Sequence, residues 1–137
     1  MFTSAKKIPP VVELNSENLI GGKGTFFLDS GADVSLVEES ALGYSEYVNT
    51  RVQVRILGIT QKEALTKGSV MLQLNNLPCL FHVIDDSFLL EANAFLGLDN
   101  LQRYEGKIDL GRMRLHFGEF ILPFLQREKF LIQPNSF

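Results

Sequence analysis

The sequence has one cysteine, no excess of basic residues and no long apolar run. The single cysteine, Cys79, excludes an intrachain disulfide and a cysteine-based zinc site, and its apolar neighbours indicate a small buried side chain. The net charge of -3 gives no basic surface for nucleic acid. No segment is apolar for long enough to cross a bilayer, and we expect no signal peptide. We therefore expect no nucleic acid or membrane partner and, since disulfides are lacking, a cytoplasmic location.

Short alternating segments separated by turn residues make up most of the sequence. Its 137 residues predict one domain. Alternation of apolar and polar residues predicts strands over 51–59, 69–74 and 77–84, whereas only residues 99–104 have helical spacing. The two histidines lie in alternating segments and are interpreted as strand residues, so we expect neither a metal nor a cofactor. The pattern predicts a mostly-β domain with one short helix.

The most informative segment is a carboxylate that follows three large apolar residues. Phe26, Phe27 and Leu28 lead directly into Asp29-Ser30-Gly31. A strand that delivers Asp29 into a partly apolar site makes a lone carboxylate difficult to ionise. Gly31 permits a close approach of the backbone, and the Ser30 hydroxyl can hydrogen-bond locally. Aspartate and serine are also ordinary turn residues, so the tripeptide alone is better interpreted as a structural turn.

A second segment downstream changes this interpretation. Residues 94–101 combine a short apolar strand, Gly97 and the start of a helix, and Ile108-Asp109-Leu110-Gly111 and an alternating strand follow. With Asp29-Ser30-Gly31, this order and spacing resembles the retropepsins, the aspartic proteases of retroviruses and LTR retrotransposons. The closer resemblance is to proteases of gypsy-class retrotransposons and their domesticated host relatives, and it covers residues 14–118.

The resemblance implies a fold and a division of the chain. The implied fold is mostly β, a closed retropepsin-like β-barrel of the acid protease type with a flap hairpin over 51–68 and one short helix. The implied segments are an N-terminal tail or dimer strand, the protease domain, and a C-terminal extension, linker or dimer element, over residues 1–13, 14–118 and 119–137.

The resemblance also implies the site residues. The catalytic residues would be Asp29, Ser30 and Gly31. The substrate-binding residues would be Ala32, Asp33, Leu57, Gly58, Ile59 and Thr60. For Asp33, a role in holding the substrate backbone and a role in capping its own loop both stay open. Asp99 is interpreted as a structural cap at the start of the helix, where negative charge is favoured.

The implied activity is that of an aspartic endopeptidase of a retroelement, acting on a Gag-Pol type polyprotein. This chemistry needs two carboxyl groups that share one proton. The chain has one Asp-Ser-Gly motif and is too short for the two-lobed version, so the second Asp29 would come from a symmetry mate across an isologous interface. We expect a homodimer, an extended peptide substrate and a location in the cytoplasm or within virus-like particles.

Some residues depart from the family pattern. Ser30 replaces the more frequent threonine but keeps the hydroxyl. The predicted flap tip has Gly58 as its one glycine, where the family has several. Leu98 is apolar where viral members carry arginine, so the viral Arg–Asp dimer contact should be missing.

Three other functions stay open. A domesticated relative can keep the fold as a dimerisation or protein-binding module with little or no proteolysis. A ubiquitin-receptor-type protein can carry such a domain in another pathway, although nothing in the sequence marks ubiquitin binding. A small β-barrel binding module with an accidental Asp-Ser-Gly is disfavoured by the second motif.

Overall fold

The computed structural model describes residues 10–57, 63–85 and 92–126, and these residues form short strands, one α-helix and two 3-10 turns. In chain order the strands are β1 (Val11–Asn15), β2 (Lys23–Leu28), β3 (Leu36–Glu38), β4 (Arg55–Leu57), β5 (Glu63–Leu65), β6 (Gly68–Leu74), β7 (Leu77–Ile84), β8 (Ala94–Leu96), β9 (Lys107–Asp109), β10 (Arg114–Phe117) and β11 (Phe120–Pro123). The helix is α1 (Leu98–Arg103), and the 3-10 turns are Ile20–Gly22 and Glu39–Ala41. The predicted mostly-β fold with one short helix is confirmed.

The main sheet has six strands in the order β1-β2-β8-β3-β7-β6. Strand β8 lies between β2, to which it is parallel, and β3, to which it is antiparallel. The two edge strands approach each other at their ends, where the Asn75 N–H donates to the Asn15 carbonyl (2.8 Å). The sheet therefore curves into a half-barrel around its apolar face.

That apolar face forms one main core. Alternate residues of the long strands point inward, as the period of two requires. The fully buried side chains include Phe26, Phe81 and Phe117, and the rings of Phe26 and Phe81 meet edge to face with centroids 5.8 Å apart. Cys79 is part of this core, and burial raises the pKa of its thiol to about 12. The interpretation of Cys79 as a small buried apolar side chain is confirmed.

A three-stranded sheet in the order β11-β10-β9 closes the core after the helix. Leu115 and Phe117 of β10 are buried, and Leu122 of β11 packs against the same core. Beyond β11, the Leu125 N–H donates to the Val11 carbonyl (2.7 Å). The predicted boundary between residues 118 and 119 falls within the β10–β11 hairpin, so residues 120–125 pack on the domain.

The predicted strand over 51–59 begins later in the structure. Among its described residues, 51–57, the strand is Arg55–Leu57, and it pairs with Glu63–Leu65 as a separate two-stranded sheet. Before it the chain turns at Asn49, whose side-chain Oδ1 accepts from the Arg51 N–H (3.1 Å). This Asx turn satisfies the Arg51 N–H locally, and the Thr66 hydroxyl accepts from the Val54 N–H (2.9 Å), so neither donor is available for a strand ladder.

Candidate active site

Asp29 lies at the carboxyl end of two parallel strands. Strand β2 ends at Leu28, and its partner β8 ends at Leu96, directly beside it. The Asp29 N–H donates to the Leu96 carbonyl (3.0 Å), so the parallel pairing continues up to the carboxylate. The three preceding side chains are buried, whereas Asp29 is half-buried. The apolar strand thus fixes the position of Asp29 while its carboxylate stays accessible.

A tight turn follows Asp29. The Asp29 carbonyl accepts from the Ala32 N–H (3.1 Å), and one carboxylate oxygen, Oδ1, accepts from the Gly31 N–H (3.0 Å). Ser30 and Gly31 are exposed at the tip of this turn. A Cβ built on Gly31 would approach Asp29 Oδ1 to 3.3 Å, so the glycine allows this close turn. The three predicted catalytic residues therefore form one small surface feature.

The next two residues attach the turn to the start of α1. The Ala32 carbonyl accepts from the Leu98 N–H (2.7 Å), and the Asp33 carbonyl accepts from the Asp99 N–H (3.2 Å). Asp33 is exposed, and its carboxylate accepts no hydrogen bond from the described residues. Its side chain is therefore available at the surface next to the catalytic turn.

Gly97 is required at the junction between β8 and α1. A Cβ at this position would lie 2.4 Å from the Val34 carbonyl oxygen and 3.0 Å from the Ala32 carbonyl oxygen. The backbone of Gly97 is extended, with φ of -96°. Because any residue can adopt that φ, what requires glycine is the close approach of the catalytic loop.

Asp99 lies in the first turn of α1, where negative charge is favoured, but it is not the residue that caps the helix. The N-cap position is Gly97, and the carboxylate of Asp99 points to the catalytic loop instead. It accepts hydrogen bonds from the N–H and the Oγ of Ser35, at 3.1 and 2.6 Å. The cap interpretation is therefore corrected, and the sequence reasoning missed Ser35. The available signal was a lone hydroxyl in the apolar run 34–37, since a buried hydroxyl needs a partner.

The predicted flap is a hairpin in the part of it that the structure describes. Leu57 pairs with Glu63 across β4 and β5, and Thr66 exchanges two hydrogen bonds with the Val54 backbone. The predicted tip residues Gly58, Ile59 and Thr60 lie outside the described residues. The hairpin is established, and the binding role of these residues stays a prediction.

An open, mainly apolar cavity of about 480 Å³ lies next to the catalytic turn. Ser30 forms one side of it, and Leu98 and Leu101 of α1 form another, together with Gln102, Glu105, Gly106 and Ile108. Leu98 is half-buried in the single chain. The apolar residue at this position thus contributes to a concave surface beside Ser30.

The part of the chain that the structure covers contains neither a metal-binding cluster nor a membrane-spanning helix. No group of three or more histidine, cysteine or carboxylate side chains there could hold a metal ion. No helix among residues 10–57, 63–85 and 92–126 has the length and hydropathy needed to cross a membrane.

His82 lies in β7 beside the catalytic loop, and its backbone N–H donates to the Ser35 carbonyl (2.8 Å). Its side chain is buried, and its Nδ1 has no hydrogen-bond partner among the described residues. Burial lowers the pKa of His82 below its ordinary value of 6.5, and the charge of Asp99 opposes this shift.

This environment predicts a pH-dependent stability. The unfolded chain binds a proton at His82 more readily than the folded chain, so the free energy of unfolding should fall as the pH drops through about 6.5. We expect the melting temperature to decrease between about pH 7.5 and pH 5.5, with a shallower decrease in His82→Gln. The matched control, His116→Gln, should keep the wild-type slope. An unchanged slope in His82→Gln would contradict this account.

The comparisons with known proteins agree with this architecture. No protein-family model matches the chain. It is 27% identical over 120 residues to a retrovirus-related Pol polyprotein from transposon 412 of Drosophila melanogaster, a match that covers 85% of this chain and 9% of that protein. It is 32% identical over 127 residues to the UBA domain-containing protein Mud1 of Schizosaccharomyces pombe, covering 83% of this chain and 34% of that protein. It is 30% identical over 115 residues to DNA damage-inducible protein 1 of Phaeosphaeria nodorum, a match that covers 75% of this chain and 24% of that protein.

A solved structure has the same fold. The retroviral protease-like domain of Ddi1 from Leishmania major superposes with a TM-score of 0.63 at 23% identity, covering 88% of this chain and 97% of that one. The fold and the Asp-Ser-Gly turn define the chain as a retropepsin-like domain. Its relatives include both retrotransposon Pol and Ddi1 sequences, and it spans between 9% and 34% of the length of the three curated relatives described above.

Proposed function

We propose that this domain is an aspartic endopeptidase whose catalytic dyad contains Asp29 from each of two subunits. The observation that supports this most is the placement of Asp29. Its carboxylate leaves the end of a buried parallel strand pair, is held by the Gly31 N–H, and stays accessible. A turn with only a structural role would need neither the buried strand pair β2–β8 before it nor the close backbone approach at Gly97.

The proposed reaction uses water and no covalent intermediate. One Asp29 carboxylate takes a proton from water, whose oxygen attacks the scissile carbonyl carbon, while the protonated Asp29 of the partner gives its proton to the carbonyl oxygen. The resulting tetrahedral diol then breaks its C–N bond. The first Asp29 gives the proton that it took from water to the amine nitrogen, and the partner's Asp29 takes a proton from a diol hydroxyl, so the dyad again holds one shared proton. Two carboxylates in contact cannot both ionise, and this keeps one of them protonated.

A second subunit would bring the second carboxylate. In an isologous dimer both copies of Asp29 lie next to the twofold axis, so Ser30 and its neighbours face the partner. The apolar cavity beside Ser30 lies on this side of the molecule. Leu98 supports an apolar contact at a position where the viral pattern has a charged one.

The proposed substrate is an extended peptide bound between the catalytic turn and the β4–β5 hairpin. Ala32 and Asp33 would hold its backbone from one side, and residues 57–60 would cover it from the other. The relationship to a Pol polyprotein supports a polyprotein substrate. A location in the cytoplasm or within virus-like particles stays a prediction.

A second function has its own support. The relatives also include Mud1 and DNA damage-inducible protein 1, of which this chain covers about a third or less. A domesticated domain of that kind would serve as a dimerisation or protein-binding module with little or no proteolysis.

Cleavage of an unbiased peptide mixture separates the two functions. At about pH 5 and high protein concentration, we expect cuts in extended peptides, identified by mass spectrometry, with large apolar side chains on both sides of the bond. The rate should fall at both lower and higher pH, because one carboxyl group must be ionised and the other protonated. The binding-module function would be favoured if a protein shown to be dimeric produced no cuts. A flat profile from acid to about pH 9 would exclude the shared-proton chemistry.

A further inference from the structure

A buried hydrogen-bond network joins the catalytic loop, residues 29–35, to the β8–α1 junction. Its centre is the Ser35 hydroxyl, which is 0% exposed. Ser35 Oγ donates to Asp99 Oδ1 (2.6 Å) and accepts from the Gly97 N–H (2.8 Å) and from Asn100 Nδ2 (2.9 Å). One side chain thus uses its donor and both acceptor sites to connect two segments more than 60 residues apart in the sequence.

The carboxylate of Asp99 fixes this arrangement from the helix side. It also accepts from the Ser35 N–H (3.1 Å) and from the Asn100 N–H (2.7 Å). Asn100 is itself held by β7, because its Nδ2 donates to the Leu80 carbonyl (2.8 Å). Hydrogen bonds to an ionised acceptor are shorter and stronger than neutral ones, so a charged Asp99 holds Ser35 more firmly than an amide would.

The network lies behind the catalytic turn. The backbone of residues 96–99 contacts the loop at Asp29, Ala32 and Asp33, and Asp99 holds its far end at Ser35. Asp29 therefore lies at one end of a loop whose other end is fixed by a half-buried carboxylate. Any shift of Ser35 relative to α1 changes the backbone path that leads back to Asp29.

We propose that Asp99, acting through Ser35, is a positioning residue that sets the orientation of the Asp29 carboxylate in the dyad. This inference rests on the proposed function of the site. Because a misplacement of about 1 Å can lower a rate by roughly 100-fold, Asp99→Asn should reduce kcat per active site by about 10- to 100-fold. KM should change by less than about threefold, since Asp99 lies behind the loop and does not face the substrate.

The chain offers a matched control for Asp99→Asn. The carboxylate of Asp109 also accepts a backbone N–H, that of Arg112 (3.0 Å), and it lies within 4 Å of two arginine side chains. It is the last residue of β9, and its hydrogen bond and ion pairs are with Arg112 and Arg114, not with the catalytic loop. Asp109→Asn should therefore leave kcat per active site unchanged.

The test compares wild type, Asp99→Asn, Ser35→Ala and Asp109→Asn. The concentration of active sites is titrated with a tight statine-containing inhibitor, so that poor folding lowers the number of sites and not the rate per site. In parallel, carboxyl-carbon NMR follows the protonation of Asp29 against pH. We expect both network variants to lower kcat per site and to move the Asp29 titration, while Asp109→Asn does neither. Ser35→Ala keeps the charge of Asp99, so a shift in both variants reports geometry.

The possible failures are distinguishable. A wild-type protein that cleaves nothing overturns the proposed function, and the NMR titration then decides the positioning inference alone. An Asp29 titration that is identical in all four proteins overturns the inference. If wild type and both network variants have the same kcat per site, the network only supports folding and the inference is also overturned.

Discussion

Replacing Asp29 with asparagine should abolish peptide cleavage while leaving the fold intact. The amide cannot take a proton from water, and removing general acid–base catalysis lowers a rate by roughly 10² to 10⁴. Both copies change together in a homodimer, so the upper end of this range is expected. The rates of wild type and Asp29→Asn, compared on a peptide identified from the mixture, measure the effect.

The structure indicates that this variant should fold. Among the described residues, the Asp29 carboxylate accepts one hydrogen bond, from the Gly31 N–H, and an asparagine oxygen can accept it equally. The free energies of unfolding of wild type and Asp29→Asn should therefore differ by less than about 1 kcal/mol. Equal cleavage by wild type and Asp29→Asn would assign the activity to a contaminant or to other chemistry. An unfolded variant would instead show that the carboxylate is structural.

The second large effect is expected at Gly97. Any side chain there would bring a Cβ to 2.4 Å from the Val34 carbonyl oxygen, a distance that requires the backbone to move. Because overpacking typically costs about 1–3 kcal/mol, and here the obstacle is backbone and not a flexible side chain, Gly97→Ala should destabilise the domain by about 3 kcal/mol or more. The shift also displaces the loop that holds Asp29, so cleavage should be lost in the molecules that still fold.

Gly111→Ala is the control for this substitution. A Cβ at Gly111 would lie 3.6 Å from Asp109 Oδ1, which is an ordinary van der Waals contact. Its melting temperature should stay close to that of wild type, while that of Gly97→Ala falls by roughly 10 °C. Similar melting temperatures for wild type and Gly97→Ala would mean that the junction is less tightly packed than described.

Much of the fold could be predicted from local patterns. Alternation marked β6 and β7, helical spacing marked α1, and the two glycine-containing motifs indicated the strands around Asp29. The absence of a strand over 51–54 could not be predicted, because a local hydrogen bond from the Arg51 N–H to the Asn49 side chain competes with the ladder. Alternation describes which side chains could face a core and does not report such competition.

The site was predictable only in part. Asp29 stands out because a carboxylate at the end of an apolar strand is unusual, and the family motif supports it. Ser35 did not stand out, because its partners Gly97, Asp99 and Asn100 are more than 60 residues away and meet it only through the sheet topology. A buried hydroxyl in an apolar run predicts that a partner exists but not which residue it is.

The most direct test of the two-subunit dyad is a mixing experiment. Wild-type and Asp29→Asn chains are unfolded together, refolded in varying ratios at constant total concentration, and assayed where the protein is fully dimeric. If each active site needs Asp29 from both subunits, activity follows the square of the wild-type fraction, and an equal mixture keeps about one quarter of it. A linear decrease, with about one half remaining, would show that one chain is sufficient and would contradict the proposed dyad.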